Sequence, residues 1–324
     1  MSQDGKCHSK SLASVTSANS EGLTKSEEDF TQTESVNQYA RQIPRTLTDS
    51  EQEKLEKDKT FLSEFKQKKL ELEAHKNWDK FYKRNTTKFF KDRHWTKREF
   101  QELCGECGAI SDEKLTLLEV GCGVGNFLFP LLEDDNNLFI FACDFSPRAI
   151  DFVKENPLYE ASRCDAFVCD VVNTPLSDHI PLNTVDVATL IFVLSAIHPE
   201  KMQEALRNIH QVLKPGGILL FRDYGLYDYA MLRFSPGRKL AENFYVRQDG
   251  TRVYYFSTEI LHSMTQSAGF QTVTLDYVQR ETVNKKEDLC VPRIFVQGKF
   301  QKTIEDINLP NHSQDETCAN SANV

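Results

Sequence analysis

The apolar positions of this chain fall into short, nearly continuous runs that stop at an acid or a glycine. LLEV ends at Gly121, LFIFACD (138–144) at Asp144 and AFVCD at Asp170, and DVATLIFVLSA (186–196) and ILLFRDYG (218–225) follow. Continuous rather than alternating runs of this length mark parallel strands buried on both faces. Helix-patterned stretches separate them, the clearest from Pro199 to Leu213, so strand and helix alternate. A helix over Ser257 to Ala268 and two further strands, TVTLDYV (272–278) and RIFVQGKF (293–300), complete the pattern. It predicts an α/β fold.

The region ahead of the first strand reads differently. Thr48-Asp49-Ser50-Glu51 is a capping box, and from there to about Ala74 one long charged helix is expected, with a modest apolar stripe through Leu55, Phe61, Leu62, Phe65, Leu70 and Leu72. Lys76 to Arg98 then carries nine Lys and Arg against two acids, interleaved with Trp78, Phe81, Tyr82, Phe89, Phe90 and Trp95. Trp78, Phe81 and Tyr82 share one helix face. That face either staples the helix to the main domain or meets a ligand, and interleaved bases and rings also suit single-stranded nucleic acid. Downstream, Asp249-Gly250 between alternating apolar residues predicts a hairpin turn.

The net charge of −9 argues against a polyanionic partner until its distribution is read. Residues 99–230 hold 8 Lys and Arg against 21 acids, whereas 45–98 hold 16 against 10 and 231–302 hold 11 against 7. An acidic centre with basic flanks binds a polyanion by the flanks. Residues 1–45, Ser/Thr-rich and without an apolar leader segment, and the polar stretch 303–324 are expected to be disordered tails. No run of 18 apolar residues exists, so no membrane span is expected. Nine cysteines, several inside apolar runs, suit a reducing cytoplasm or nucleus. Cys104 and Cys107 form a single C-x-x-C, too little for zinc, and no metal is expected.

The candidate chemistry lies in LLEVGCGVGN (117–126). Gly121, Gly123 and Gly125 permit a tight turn in which an adenosine-bearing ligand lies against bare main chain, and Asp144 stands where such folds place a carboxylate for ribose hydroxyls. Asn126 in the sixth position of the loop and LKPGG (213–217) before the fifth strand turn the reading from a nicotinamide towards a methyl donor. The pairing resembles class I S-adenosylmethionine-dependent methyltransferases. The resemblance implies a Rossmann-like, mostly parallel seven-stranded sheet, with Gly121 to Gly125 under the methionine half and Asp170 and Val171 framing the adenine.

More specific segments narrow this: NWDKFYKRN, FFKDRHW, CDFSPRAI, FVLSAIHP, LFRDYGLYDYAMLRF, ENFYVRQDGTR and ETVNKKEDLCVPR. Together with the glycine loop they resemble the eukaryotic tRNA N3-methylcytidine methyltransferases, over about 46–302, within the branch associated with serine tRNAs. The resemblance implies methylation of N3 of cytidine 32 in the anticodon loop, with S-adenosylmethionine as cofactor, tRNA as substrate, seryl-tRNA synthetase as a partner and a monomeric enzyme, cytoplasmic and also nuclear. It divides the chain into a helical tRNA-binding and cofactor-lid segment (46–98) and a methyltransferase domain (99–302) with an insertion at about 225–256. Trp78 and Tyr82 would close over the cofactor beside Ile191, and Arg93, Asp223 and Arg293 would surround the target nucleotide. His198, ahead of a helix, suits a cap better than a substrate contact. Other classes remain in view: a methyltransferase acting on a protein or a small molecule, which has no need of the basic segment, one acting on another RNA, and a non-catalytic tRNA-binding module, which has no need of an intact glycine loop.

Overall fold

The computed structural model describes residues 31–32, 44–103, 114–284 and 289–303. Cys104 and Cys107 lie outside them, as do most of the two tails. The first strand, β1, is only Thr31–Gln32. Helices α1 (Asp49–Lys57), α2 (Glu64–Leu72), α3 (Ala74–Asn85) and α4 (Thr96–Glu99) come next. The alternating part runs β2 (Leu115–Val120), α5 (Leu128–Asp134), β3 (Leu138–Asp144), α6 (Pro147–Glu155), β4 (Cys164–Val168), β5 (Val185–Ile191), α7 (Pro199–Val212) and β6 (Leu213–Tyr224). A short helix α8 (Tyr229–Leu232) and a separate three-stranded sheet, β7 (Lys239–Ala241), β8 (Phe244–Val246) and β9 (Arg252–Tyr254), occupy the stretch before α9 (Thr258–Ser267). The strands β10 (Phe270–Asn284) and β11 (Leu289–Lys302) close the chain.

The main sheet has the order β1-β10-β11-β6-β5-β2-β3-β4. Strands β2 to β6 are parallel and β11 and β10 antiparallel, so seven strands form the expected mostly parallel sheet. The backbone of β1, inside the stretch read as a tail, pairs with β10 as an eighth strand. From β2 the chain steps to β3 on one side, while β5 lies on the other, which opens a crevice beyond the carboxyl ends of these strands. Residues alternate along each strand between two cores. Leu118, Val120, Leu190 and Phe221 pack with Met202, Leu206 and Ile209 of α7, while Leu117, Ile140, Ala142 and Leu220 pack with Leu128, Leu131 and Phe100. Both faces are therefore covered, which explains the lack of polar alternation in the runs.

The long helix expected from Thr48 to Ala74 is broken. Thr48 does form its capping box with Glu51, but α1 stops at Lys57. Phe61 makes a β-bridge to Lys239, Leu62 N donates to the Lys239 carbonyl (2.9 Å), and Gln67 Nε2 donates to the Leu62 carbonyl (2.8 Å). A tertiary edge contact thus outweighs the helix propensity of the segment. Glu71 of α2 then pairs with Arg252 and Lys201, anchoring the segment to the main body. The Asp249-Gly250 turn joins β8 and β9 as expected, with Asp249 Oδ1 accepting from Thr251 N (2.9 Å).

Candidate cofactor and target-base site

The strand β2 turns at its carboxyl end through Gly121 and Gly123, with φ of 67° and 55°. A Cβ on Gly121 would stand 2.5 Å from Val193 Cγ2, and one on Gly123 would stand 3.2 Å from the Tyr82 hydroxyl. The loop is thus bare main chain that a side chain would fill. One strand over, the Asp144 carboxylate is buried: Oδ2 accepts from Gly123 N (3.0 Å) and the Tyr82 hydroxyl (3.3 Å), and Oδ1 accepts from Ser146 N (2.9 Å). Burial pushes its pKa up to about 6, against the pull of those donors.

Tyr82 arrives on α3. Phe81, Tyr82, Val124 and Ala149 form a small core with Trp78, Phe89, Phe90 and Phe152 packed on it. The rings that sequence offered as base-stacking candidates therefore turn inward, Trp78 tilted on Tyr82 at 6.0 Å and Phe81 edge-on to Phe89 at 4.7 Å. This staple lays α3 across the glycine loop, while Lys80, Lys83, Lys88 and Lys91 stay exposed.

Asp170 and Val171 lie just past β4, tied to the Asp144 strand by Cys169 N donating to the Asp144 carbonyl (3.0 Å). The Asp170 carboxylate accepts from Val172 N (3.0 Å) and Asn173 Nδ2 (2.7 Å), so it shapes its own loop, and Val171 is buried. Ile191, buried at the end of β5, presents its carbonyl to Arg93 Nη1 (3.3 Å). His198 caps α7, its Nδ1 accepting from Glu200 N (3.4 Å).

Glu119, the acid inside LLEVGCGVGN, is the site residue that sequence reading passed over. It is 3% exposed, and its Oε2 has no hydrogen-bond partner among the described residues. Burial raises its pKa to about 8, offset only in part by Arg93. A buried acceptor left open beside a bare glycine loop fits a ligand that brings hydroxyls, an ammonium or a sulfonium. The donor set therefore fits an adenosyl-type cofactor.

The second half of the site lies at the carboxyl end of β6. Asp223 is fully buried; Oδ2 accepts from Ser195 N and Oδ1 from Tyr224 N, both at 2.9 Å. Burial raises its pKa to about 6, against the pull of the Ser195 and Tyr224 hydrogen bonds and, more weakly, of Arg247. It does not pair with Arg222, which points to the opposite face, its guanidinium 4.4 Å from the Trp95 ring and 5.0 Å from the Phe295 ring. Asp223 and Arg93 do come together, since Asp223 is among the acids that sustain the Arg93 charge against burial. The Arg93 guanidinium lies 5.6 Å from the Phe192 ring, and Phe192 holds a left-handed φ of 61° that only a closely determined loop sustains. Tyr224 carries Arg247 at 5.6 Å and Arg293 at 5.8 Å over its ring. Arg293 Nε also donates to Asp228 Oδ2 (2.9 Å), which places Arg293 at the edge of this chamber. Phe192, Tyr224 and Arg247 lie in segments that carry the family resemblance but were not singled out, because only the fold brings them to one place.

A glycine loop, a buried ribose-type carboxylate and this strand order together define a class I S-adenosylmethionine-dependent methyltransferase. A family model described as "Methyltransferase domain" matches residues 118–219. Among solved structures, an S-adenosylmethionine-dependent methyltransferase from Anabaena variabilis superposes with a TM-score of 0.51 over 71% of this chain and 95% of its own, at 13% identity, which shows the shared fold. The sequence relatives are far closer. The tRNA N(3)-cytidine methyltransferase METTL6 of Homo sapiens is 62% identical over 258 residues, 80% of this chain and 90% of that protein. The tRNA N(3)-methylcytidine methyltransferase trm141 of Schizosaccharomyces pombe is 47% identical, covering 74% and 97%, and METTL2 of Danio rerio 43%, covering 74% and 76%. The chain belongs to the tRNA N(3)-cytidine methyltransferase family.

Proposed function

We propose that this protein is a tRNA (cytidine-N3-)-methyltransferase that modifies cytidine 32 of the anticodon loop in serine tRNAs, acting as a monomer with seryl-tRNA synthetase as partner. The observation that carries the reading is the chamber around Asp223: a fully buried carboxylate with Arg93 and Arg247 nearby and the rings of Phe192 and Tyr224 as walls. Its chemistry, a carboxylate with guanidiniums and rings beside it, suits one flipped base.

Bound S-adenosylmethionine supplies an electrophilic methyl group on a cationic sulfur. The chain's part is to hold and position. Gly121 and Gly123 let the ligand approach main chain, and Asp144, with Tyr82 of α3 as a lid over it, takes the ribose hydroxyls. Trp78 backs Tyr82, and Asp170, Val171 and Ile191 border the adenine end. The in-plane lone pair of cytosine N3 is free at neutral pH, so no residue need remove a proton first. Asp223 instead faces the positive charge that grows on the ring as N3 is alkylated, and its two backbone donors fix it in place beforehand. Arg93, held by the Ile191 carbonyl, contacts the base from the cofactor side, and Arg293 faces it from the rim. The exposed lysines of α3 and the loop after it receive phosphates that the acidic central domain repels.

The test is methylation of purified serine tRNA transcripts, with and without seryl-tRNA synthetase, read by mass spectrometry of nucleosides. N3-methylcytidine appears on wild-type transcript and not when cytidine 32 is replaced by uridine. Methylation of the uridine-32 transcript to the same extent would overturn the position, and no product on any tRNA would overturn the reading as a whole.

A further inference from the structure

Helix α3 stands between the two halves of the site and touches each with a different face. At about 100° per residue, Asp79 and Tyr82 project to one side of the helix and Asn77 and Arg84 to the other. The first pair grips the cofactor loop. The Tyr82 hydroxyl donates to Asp144 Oδ2 (3.3 Å), and Asp79 Oδ1 accepts from the hydroxyl of Ser146 (3.1 Å), whose N–H donates to Asp144 Oδ1 (2.9 Å). The second pair grips the turn between β8 and β9. Asn77 Nδ2 donates to the Gly250 carbonyl (3.2 Å), and Arg84 Nη2 lies 3.5 Å from Asp249 Oδ2. The fit is close: a Cβ on Gly250, at φ 86°, would stand 2.8 Å from Asn77 Nδ2.

The same turn presents Arg247 to the target-base chamber. Arg247 N donates to the Thr251 carbonyl (2.8 Å) and Arg247 Nη1 to the Arg252 carbonyl (3.2 Å), so the side chain is fixed to the turn that carries it. From there it lies 5.6 Å from the Tyr224 ring, and its charge acts on Asp223. The two contacts of α3 with this turn weigh unequally. Arg84 is 58% exposed, so its ion pair contributes little. Asn77 is buried, although Trp78, Phe81 and Tyr82 already staple the helix to the body. Its amide adds direction rather than adhesion, because it sets where the turn sits against the helix. Hydroxyls that engage Asp144 compete with Tyr82 for Oδ2, and five residues of helix, about 7.5 Å along the axis, pass the adjustment to Asn77 as a rigid body. We infer that α3 couples the cofactor loop to the target-base chamber, with Asn77 as the positioning residue that sets the Arg247 turn beside the base. The inference rests on the proposed function and adds how one ligand prepares the site for the other.

The experiment measures tRNA binding by the full chain by fluorescence anisotropy, with and without saturating S-adenosylhomocysteine. The ratio of the two dissociation constants is the coupling. The wild type is expected to bind tRNA about 5- to 150-fold more tightly with the ligand present, the usual range for two linked sites. Calorimetry should show tRNA tightening S-adenosylhomocysteine by the same factor, as linkage requires. Asn77→Ala should bring the ratio to within about twofold of one, while affinity for S-adenosylhomocysteine in the absence of tRNA keeps its wild-type value. A residue that merely holds the extension in place would weaken tRNA binding equally in both conditions and leave the ratio intact. That result would overturn the inference, and so would a wild-type ratio of one. Should Asn77→Ala not fold, Gly250→Ala carries the test from the other side of the contact: it lies in a half-buried turn, its Cβ pushes the turn off Asn77, and the ratio should fall in the same way. An unchanged ratio there is equally fatal. A wild type that binds no tRNA in either condition defeats the proposed function itself, whereas tRNA binding without coupling defeats only the role of α3.

Discussion

Replacing Asp223 by Asn removes one charge and one acceptor from a carboxylate that water does not reach. The two losses have separate magnitudes. Both oxygens accept a backbone N–H at 2.9 Å, from Ser195 and Tyr224, so whichever way the new amide turns, its NH2 faces one of these donors. An unsatisfied buried donor costs about 1–3 kcal/mol, and a domain of this size loses about 2–4 °C of melting temperature per kcal/mol. The variant should therefore fold but melt roughly 2–12 °C lower. The catalytic loss is larger. Removing one preorganised electrostatic partner of the developing charge lowers the chemical step by about 10²–10³-fold. Burial holds Asp223 at a pKa of about 6, and its role needs the anion. The wild-type rate should then fall as pH drops through about 6 and be flat above neutrality, since N3 needs no deprotonation, and the Asn variant should lack the acid limb. The assay is a single turnover on serine tRNA with cofactor bound beforehand, so that Asp144, also near 6, is already engaged. Temperature stays below the variant's own transition. A folded variant with the wild-type single-turnover rate, or an acid limb that survives the substitution, would refute the assignment.

Three further outcomes follow from the same geometry. Asp144→Ala should weaken cofactor affinity severely while the domain stays folded, and calorimetry giving an unchanged dissociation constant would remove Asp144 from the site. Gly125→Ala should destabilise more than Gly123→Ala, because its Cβ would stand 2.3 Å from Phe129 Cε2 at φ 93°, whereas the Gly123 Cβ meets only the Tyr82 hydroxyl at 3.2 Å. The expected difference in urea unfolding is about 1–3 kcal/mol, and equal midpoints would contradict it. Glu119→Gln should flatten the pH dependence of stability. Its folded pKa of about 8 exceeds the ordinary 4.5, so the native state keeps a proton that the unfolded chain releases, and stability falls as pH rises across that window. At pH 7 the wild type forfeits up to about 3 kcal/mol by this route, and unfolding curves at pH 5 and 8 that shift equally in both proteins would disprove it.

The central sheet was legible because buried parallel strands need continuous apolar runs, and each such run of this chain became a strand of the main sheet. The carboxyl-end acids Asp144 and Asp223 were legible for the same reason: a polar residue closing an apolar run marks a strand end facing the crevice. Two features were hidden. The break between α1 and α2 depends on Leu62 and Phe61 meeting the β7 edge, more than 170 positions downstream, and no local signal at 58–63 announces it. The fate of the aromatics at 78–95 was equally undecidable, since a ring that staples a helix and a ring that stacks a base have the same composition and period. Structure sends Trp78, Phe81, Tyr82, Phe89 and Phe90 inward and sets Trp95 against Arg222.

The distribution of buried charge ties these observations together. Glu119, Asp144 and Asp223 stand towards the carboxyl ends of β2, β3 and β6, each buried and each raised in pKa by that burial. Three such carboxylates cost the apo fold stability and do nothing for its packing, which is the local conflict expected where a sequence is built for a ligand rather than for the fold. Arg93 reaches this group from the extension and not from the sheet, and Tyr82 of the same extension bonds Asp144. The catalytic domain is therefore electrostatically incomplete without residues 78–93. Under the proposed function the basic extension belongs to the active site, which would let an acidic domain accept an RNA strand: the cation beside its buried carboxylates and the exposed lysines lie on one continuous segment.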